Sequence, residues 1–285
     1  MNVELFLSVL SFFWGACVGS FLNVCIYRIP AELSVVKPRS HCPHCQQPIA
    51  WYDNIPLVSF FVLRARCRHC SAPIAPRYVL VEFLTACLFL LVWLKFLPAG
   101  APVLGLAPAH DLRLLPVYWL AVSGLILGTF VDFEHMIIPD RVTWGGIVAG
   151  LILGPLVPSM HGEATAWGGL RGSAIGAAVG FGILWTVAGI GKLLFRKDAM
   201  GFGDVKLMGA IGAFLGWWAV LFTLIVSSFA GSVVGVTLIA TGRREFQGRI
   251  PYGPYLALAA ILWILWGPCW RDLYLGWLMA SPVPQ

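Results

Sequence analysis

Residues Leu114–Val131 read LLPVYWLAVSGLILGTFV, and the next residue is Asp132. The run carries no charged side chain. It is long enough to cross a hydrocarbon core of about 30 Å, which takes roughly 20 residues of α-helix. The run points to the fold class, and the acid at its end is the first candidate for chemistry.

Working outward, about eight apolar runs of this kind follow one another along the chain. They are Leu5–Tyr27, Tyr78–Leu97, Leu114–Val131, Val142–Val157, Gly172–Phe195, Val205–Gly216, Trp217–Ala240 and Tyr252–Trp266. The chain is 59% hydrophobic and 11% charged, whereas a soluble domain carries about 25% charged residues. A water-soluble fold could not hide that much apolar surface. The prediction is an all-α polytopic membrane protein with about eight transmembrane helices. The sixth and seventh runs meet at Gly216-Trp217-Trp218, which suits a tight turn at the membrane interface. Glycine and alanine are frequent in the fifth to seventh runs, which are expected to pack closely inside the bundle. The first run lacks a basic n-region and exceeds the usual apolar core of a signal peptide, so it reads as a helix of the fold. No internal repeat stands out.

Charge sets the expected orientation. The segment after the first helix holds Arg28, Lys37, Arg39, Arg64, Arg66, Arg68 and Arg77. Every second loop continues the pattern with Arg141, then Lys192, Arg196, Lys197 and Lys206, then Arg243, Arg244 and Arg249. The other side keeps only Lys95, Arg113, Arg171 and Arg271. Cations collect on the cytoplasmic side, so the long segment is placed in the cytoplasm and both termini outside. This bias and attraction to anionic membrane lipid account for the +6 net charge. Nucleic acid is not an expected partner.

The long segment contains Cys42-Pro43-His44-Cys45 and Cys67-Arg68-His69-Cys70. Two CxxC turns, each aiming two sulfurs at one metal, read as a tetrahedral four-thiolate zinc site. So short a stretch has little core of its own, and metal would supply most of its folding energy. Disulfides are the competing reading, but the expected compartment keeps thiols reduced. A catalytic metal needs an open coordination position, and four cysteines leave none. His41, His44 or His69 could replace one ligand. Cys17, Cys25, Cys87 and Cys269 lie in or beside apolar runs and read as small hydrophobes.

Acidic residues at membrane depth are costly unless paired or functional. Asp132 lies in VDFEHMIIPD, and Asp204 lies in Gly201-Phe202-Gly203-Asp204-Val205-Lys206. Both fall on the predicted cytoplasmic side. Two carboxyl groups brought together cannot both ionise easily, so one can serve as acid and the other as base on a shared water. That is aspartic protease chemistry, and it would put both groups in one cleft between neighbouring helices. The alternative is that each acid caps a helix or sits in interfacial water. Gly201 and Gly203 permit close approach of another chain. Glu134, Asp140 and Asp198 are expected to be solvated.

These motifs resemble those of the type IV prepilin peptidase family. GFGDVK is similar to its GxGDxK motif, and VDFEHMIIPD to its other aspartate motif. Gly19-Ser20-Phe21-Leu22-Asn23-Val24, with Arg28 and Pro30, resembles its first helix. Asn54–Ser59 and Arg77–Glu82 resemble segments flanking the second cysteine pair, and Pro251–Leu256 resembles the start of its last helix. The resemblance implies a bifunctional enzyme at the cytoplasmic face of the bacterial inner membrane. Such an enzyme cuts the basic leader from type IV prepilins and pseudopilins and methylates the new N-terminus with S-adenosylmethionine. It implies Asp132 and Asp204 as the catalytic pair and Cys42, Cys45, Cys67 and Cys70 as metal ligands. It names no residue for S-adenosylmethionine. Asn23, Glu82 and Lys206, polar groups near helix ends, are candidate supporting or substrate contacts, with Gly201 and Gly203. The expected division is residues 1–27 as the first transmembrane helix, 28–77 as a cytoplasmic zinc-binding domain and 78–285 as the protease bundle. The rivals are a non-enzymatic scaffold with a zinc-knuckle adaptor and an ion-coupled transporter.

Overall fold

The computed structural model describes residues 3–97, 103–195, 200–241 and 251–280. Arg196, Lys197, Asp198, Arg243, Arg244 and Arg249 lie outside the described residues. Among the described residues the chain is all-helical, with no strand beyond two isolated bridges. The helices are α1 (Val3–Arg28), α2 (Val58–Val62), α3 (Arg77–Leu94), α4 (Leu114–His135), α5 (Asp140–Leu156), α6 (Ala166–Phe195), α7 (Phe202–Ala240) and α8 (Gly253–Ala280).

Among the described residues, 6 of these helices are long and apolar enough to cross a membrane. Their outward faces carry apolar side chains such as Phe13, Leu120, Ile225 and Phe229. In lipid such a face needs no cover, and polar groups must be satisfied within the bundle instead. Trp119 Nε1 accordingly donates to Phe89 O at 3.1 Å, and Ser173 Oγ to Gly150 O at 3.0 Å. The chain is a multi-pass membrane protein.

The sixth and seventh apolar runs form one element, α7, of 39 residues. A straight helix of that length would measure about 60 Å, twice the hydrocarbon core. It is not straight. Gly216 has φ 80° and ψ 173°, outside the helical region, and splits α7 into two limbs. A side chain at Gly180 would meet both Met208 and Val220, one from each limb, so the chain reverses at Gly216. The expected turn is there, and only glycine takes that φ without strain.

Small residues set the closest packing. A Cβ on Gly176 would lie 2.0 Å from Gly212 O, so α6 meets the first limb of α7 backbone to backbone. A Cβ on Gly19 would lie 2.7 Å from Glu82 Cα, which closes α1 onto α3. Small residues at helix contacts are the usual means of tight association in membranes.

Several predicted boundaries move: α4 runs past Val131 to His135, and α6 begins at Ala166, before the expected Gly172. The second run extends to Leu97, but α3 ends at Leu94. The eighth run stops at Trp266, but α8 continues through Pro268 to Ala280, with Leu273, Tyr274 and Trp277 exposed. The sequence dips in hydropathy at Gly267-Pro268, yet the lost hydrogen bond does not end the helix.

The bundle has two distinct ends. At one, the tails of α1 and α4 meet the heads of α3, α5, α7 and α8. At the other, Lys95 reaches Ile264 O, Asp111 accepts from Ser159 Oγ at 2.6 Å, and Gly216 approaches His161. Arg28, Arg77, Arg141 and Lys206 belong to the first end, and Lys95, Arg113 and Arg171 to the second.

Candidate active site

Asp132 lies in the last turn of α4. The helix stops at Met136, which takes the left-handed conformation (φ 56°) and bonds back to Asp132 O at 3.0 Å. The chain then turns through Ile138 and Pro139, and Asp140 opens α5. Ile138 is buried where the elements converge: a Cβ at Gly203 would lie 3.3 Å from it, and one at Gly253 3.0 Å. This residue joins the tail of α4 to the heads of α7 and α8.

Asp204 stands in the first turn of α7. Its backbone amide donates to Gly201 O at 3.1 Å, and a Cβ on Gly201, the residue preceding the helix, would lie 3.2 Å from its Oδ2. The carboxyl therefore sits against the start of the helix, the position from which an acid can cap it. Asp132 is 5% exposed and Asp204 8% exposed, and the two lie close enough for the charge of one to act on the other. The structure therefore brings the two motifs together. Their helices do not pack side by side as expected: α5 and α8 each contact both α4 and α7 and bridge them. Both carboxyls are also more covered than an open cleft would leave them.

Two contacts hold this arrangement. Asp132 Oδ2 accepts from the Gly253 backbone amide at 3.1 Å. A Cβ on Gly253 would lie 2.8 Å from that same oxygen. Lys206, two residues after Asp204, is ion-paired with Asp140 and lies 5.4 Å from the centre of the Phe202 ring. Asp140 is thus paired, not merely solvated. So is Glu134, which pairs with Arg77 at the head of α3.

Asn23 and Glu82 fall elsewhere. Both lie at the α1–α3 contact, beside the cysteine segment. Asn23 Nδ2 donates to Tyr78 O at 2.9 Å, and Glu82 Oε2 accepts from Leu57 N at 2.7 Å.

The four cysteines form a single cluster whose sulfurs all lie within 4.8 Å of one another. Cys42 and Cys70 are 3.8 Å apart, and Cys45 and Cys67 4.0 Å. A tetrahedron with Zn–S of about 2.3 Å has sulfur–sulfur edges of about 3.8 Å, whereas a disulfide needs about 2.0 Å. The donor set and spacing fit a closed four-thiolate site. The amides of Cys70 and His69 hold the Cys67 thiol down to about 6. At Cys70 the Ala72 amide pulls the same way, but burial and the neighbouring sulfurs prevail and push it up to about 11. Four thiols this close cannot all ionise without a cation between them.

The two halves of this module repeat. Residues 42–50 read CPHCQQPIA and residues 67–75 read CRHCSAPIA. Each makes the same turn: Gln46 N to Cys42 O at 2.9 Å and Ser71 N to Cys67 O at 2.9 Å, each with an isolated bridge, His41 to Pro48 and Arg66 to Pro73. The expectation of no internal repeat is corrected here. The unit is too short to show as a fold-level period but plain once the metal turns are aligned. Arg68 donates to Asp53 at 2.5 and 2.7 Å, and its guanidinium holds the Asp53 carboxyl below the usual range.

Gly253, Ile138 and the Arg77–Glu134 pair were not singled out for the site by the sequence. The available signal was PYGPYL at residues 251–256, whose glycine stands where a helix must begin against an acid.

A family model described as the bacterial peptidase A24 N-terminal domain matches residues 13–96, and one described as the type IV leader peptidase family matches residues 119–236. The prepilin leader peptidase/N-methyltransferase of Aeromonas salmonicida (strain A449) is 35% identical, over 95% of this chain and 94% of its own. That of Myxococcus xanthus (strain DK1622) is 42% identical over 98% and 79%, and that of Pseudomonas aeruginosa 33% over 89% and 88%. No solved structure gives a significant match. With both halves of the chain matched and relatives aligned along nearly its whole length, this protein belongs to the type IV leader peptidase family.

Proposed function

We propose that this protein is a membrane aspartic endopeptidase. It removes the basic leader from type IV prepilins and pseudopilins at the cytoplasmic face of the inner membrane, then methylates the new N-terminal amine. The observation that carries this reading is the meeting of Asp132 and Asp204, two nearly buried carboxyls from separate motifs.

The chemistry is acid–base hydrolysis without a covalent intermediate. One aspartate, ionised, takes a proton from water, while the other, neutral, donates to the scissile carbonyl. The Gly253 amide fixes the Asp132 carboxyl, and the Asp140–Lys206 pair ties the head of α5 to α7. The substrate's apolar stem lies among the helices and its basic leader stays in the cytoplasm. Cation placement supports this orientation, since Arg28, Arg77, Arg141 and Lys206 share the end that holds the aspartates.

Cys42, Cys45, Cys67 and Cys70 hold one structural zinc ion within a cytoplasmic domain of residues 28–77, between the first helix (1–27) and the protease bundle (78–285). S-adenosylmethionine supplies an electrophilic methyl group to the unprotonated amine, its sulfur leaving as a neutral thioether. A transporter would need broken helices beside its charged groups, but the break at Gly216 lies at the end opposite the aspartates. A scaffold gives no reason to bury two carboxyls together.

The test is direct. Purified protein is incubated with a prepilin, with and without S-adenosylmethionine. Leader loss in both reactions, and methylation only with the donor, is expected; an intact leader in both would overturn the reading.

A further inference from the structure

Beneath the cysteine module, between it, the tail of α1 and the head of α3, lies a cavity of about 490 Å³. Small-ligand sites span about 300–1,000 Å³. Neither Asp132 nor Asp204 lines it, but Glu134 does, so it adjoins the candidate active site without being part of it.

Two buried polar atoms at its wall have no partner within the protein. Asn23 is 2% exposed; its Nδ2 is spent on Tyr78 O, and its Oδ1 accepts nothing. Arg77 leaves its buried Nε–H without an acceptor. Leaving such a group unmet is costly, and native interiors rarely keep two in one place unless a ligand or water meets them. A half-buried carboxylate, Glu82, stands on the same wall.

The occupant must therefore offer a donor or cation to Asn23 Oδ1 and Glu82, and an acceptor to Arg77. The charges of the wall are balanced: Arg28, Arg68 and Arg77 stand against Asp53, Glu82 and Glu134. Balanced walls suit a ligand of mixed charge better than a basic peptide. Tyr27 and Tyr78 add aromatic surface for a flat ring. A nucleoside that bears an amino acid and a sulfonium meets every one of these demands.

We propose that this cavity is the S-adenosylmethionine site. Asn23 Oδ1 and the Glu82 carboxylate receive the ligand's cationic groups, and Arg77 Nε–H donates to one of its acceptors. The proposal rests on the methyl-transfer half of the function above and adds its location. It also explains why Asn23 and Glu82 sit apart from the aspartate pair.

The test uses the full-length protein in detergent and radiolabelled S-adenosylmethionine. Equilibrium dialysis should give one site per chain. Asn23→Ala and Glu82→Gln should each weaken it by roughly ten-fold or more, with the metal content and melting temperature of each variant checked alongside. Ultraviolet cross-linking of the wild type, which depends on no variant folding, should place the label on peptides from the end of α1, the cysteine module or the head of α3. Unchanged binding in both variants, or a label elsewhere, would place the donor at another site while leaving the methyltransferase reading intact. Protection of the site by a synthetic leader peptide, but not by S-adenosylhomocysteine, would give the cavity to the substrate and overturn the proposal. A wild type that cleaves prepilin but neither binds nor transfers the methyl donor would overturn the methyl-transfer reading itself, and the proposal with it.

Discussion

The backbone amide of Gly253 donates to Oδ2 of Asp132 at 3.1 Å, and the Cβ that any other residue would add falls 2.8 Å from that oxygen. The head of α8 thus acts as a fixed hydrogen-bond donor to an acid on α4. Gly253→Ala is expected to push the carboxyl out of place and cut prepilin cleavage by roughly ten-fold or more, about 1.4 kcal/mol in the barrier. Cleavage rates beside a melting curve check it; wild-type rates in the folded variant would show that the carboxyl tolerates displacement.

Asp132→Asn and Asp204→Asn keep the shape of each side chain and remove its proton chemistry. Each is expected to lower cleavage by orders of magnitude, with methylation of an already cleaved pilin continuing. In the wild type the pH–rate profile should be bell-shaped, its limbs belonging to the pair and not to one residue. Near-normal leader removal by either variant would exclude the acid–base mechanism.

Lys206 is nearly buried, while its partner Asp140 is mostly exposed. Removing the exposed partner leaves a cation without its counter-charge at the membrane boundary. Asp140→Asn is expected to destabilise by about 1–2 kcal/mol, below the cost of breaking a fully buried pair. Thermal unfolding in detergent would register this as a lower midpoint, and no shift would mean that Lys206 finds another partner.

Metal analysis of carefully reduced protein should find one zinc per chain, bound at about 2.3 Å to four sulfurs by X-ray absorption. Cys67→Ser is expected to lower metal content and loosen residues 28–77 to proteolysis, with leader cleavage reduced but not abolished. A metal-free wild type, or a Cys42–Cys45 disulfide, would contradict the four-thiolate site.

At the opposite end, the Arg113 guanidinium and the Ser159 hydroxyl hold the Asp111 carboxyl well below its usual range. A depressed carboxylate stabilises the fold above its unfolded value of about 3.9 and loses that contribution as pH falls through the folded value. Because the pair is largely solvent-screened, the effect should stay under about 1 kcal/mol. Asp111→Asn should therefore melt slightly below the wild type at pH 7, with the gap closing towards pH 2; a gap that widens on acidification would have the wrong sign.

The membrane class of this protein was legible in runs such as Leu114–Val131, because about 20 uncharged residues leave a bilayer as the only favourable solvent. The cysteine cluster was legible because a CxxC turn presents both sulfurs within a few residues. The reversal at Gly216 was legible for the same local reason. Their place at membrane depth and then motif resemblance singled out Asp132 and Asp204, but nothing in either segment states that they meet. That depends on α5 and α8 bridging α4 and α7, on Ile138 beneath Gly203 and Gly253, and on close approaches such as Gly176 against Gly212. The same holds for Gly253 as a donor, for Asp140 as the partner of Lys206, and for the cavity that leaves Asn23 Oδ1 unmatched. Sequence patterns record what a residue needs within a turn or two of its own chain. Which distant group meets that need is set by how closely the helices pack, and only the folded bundle decides it.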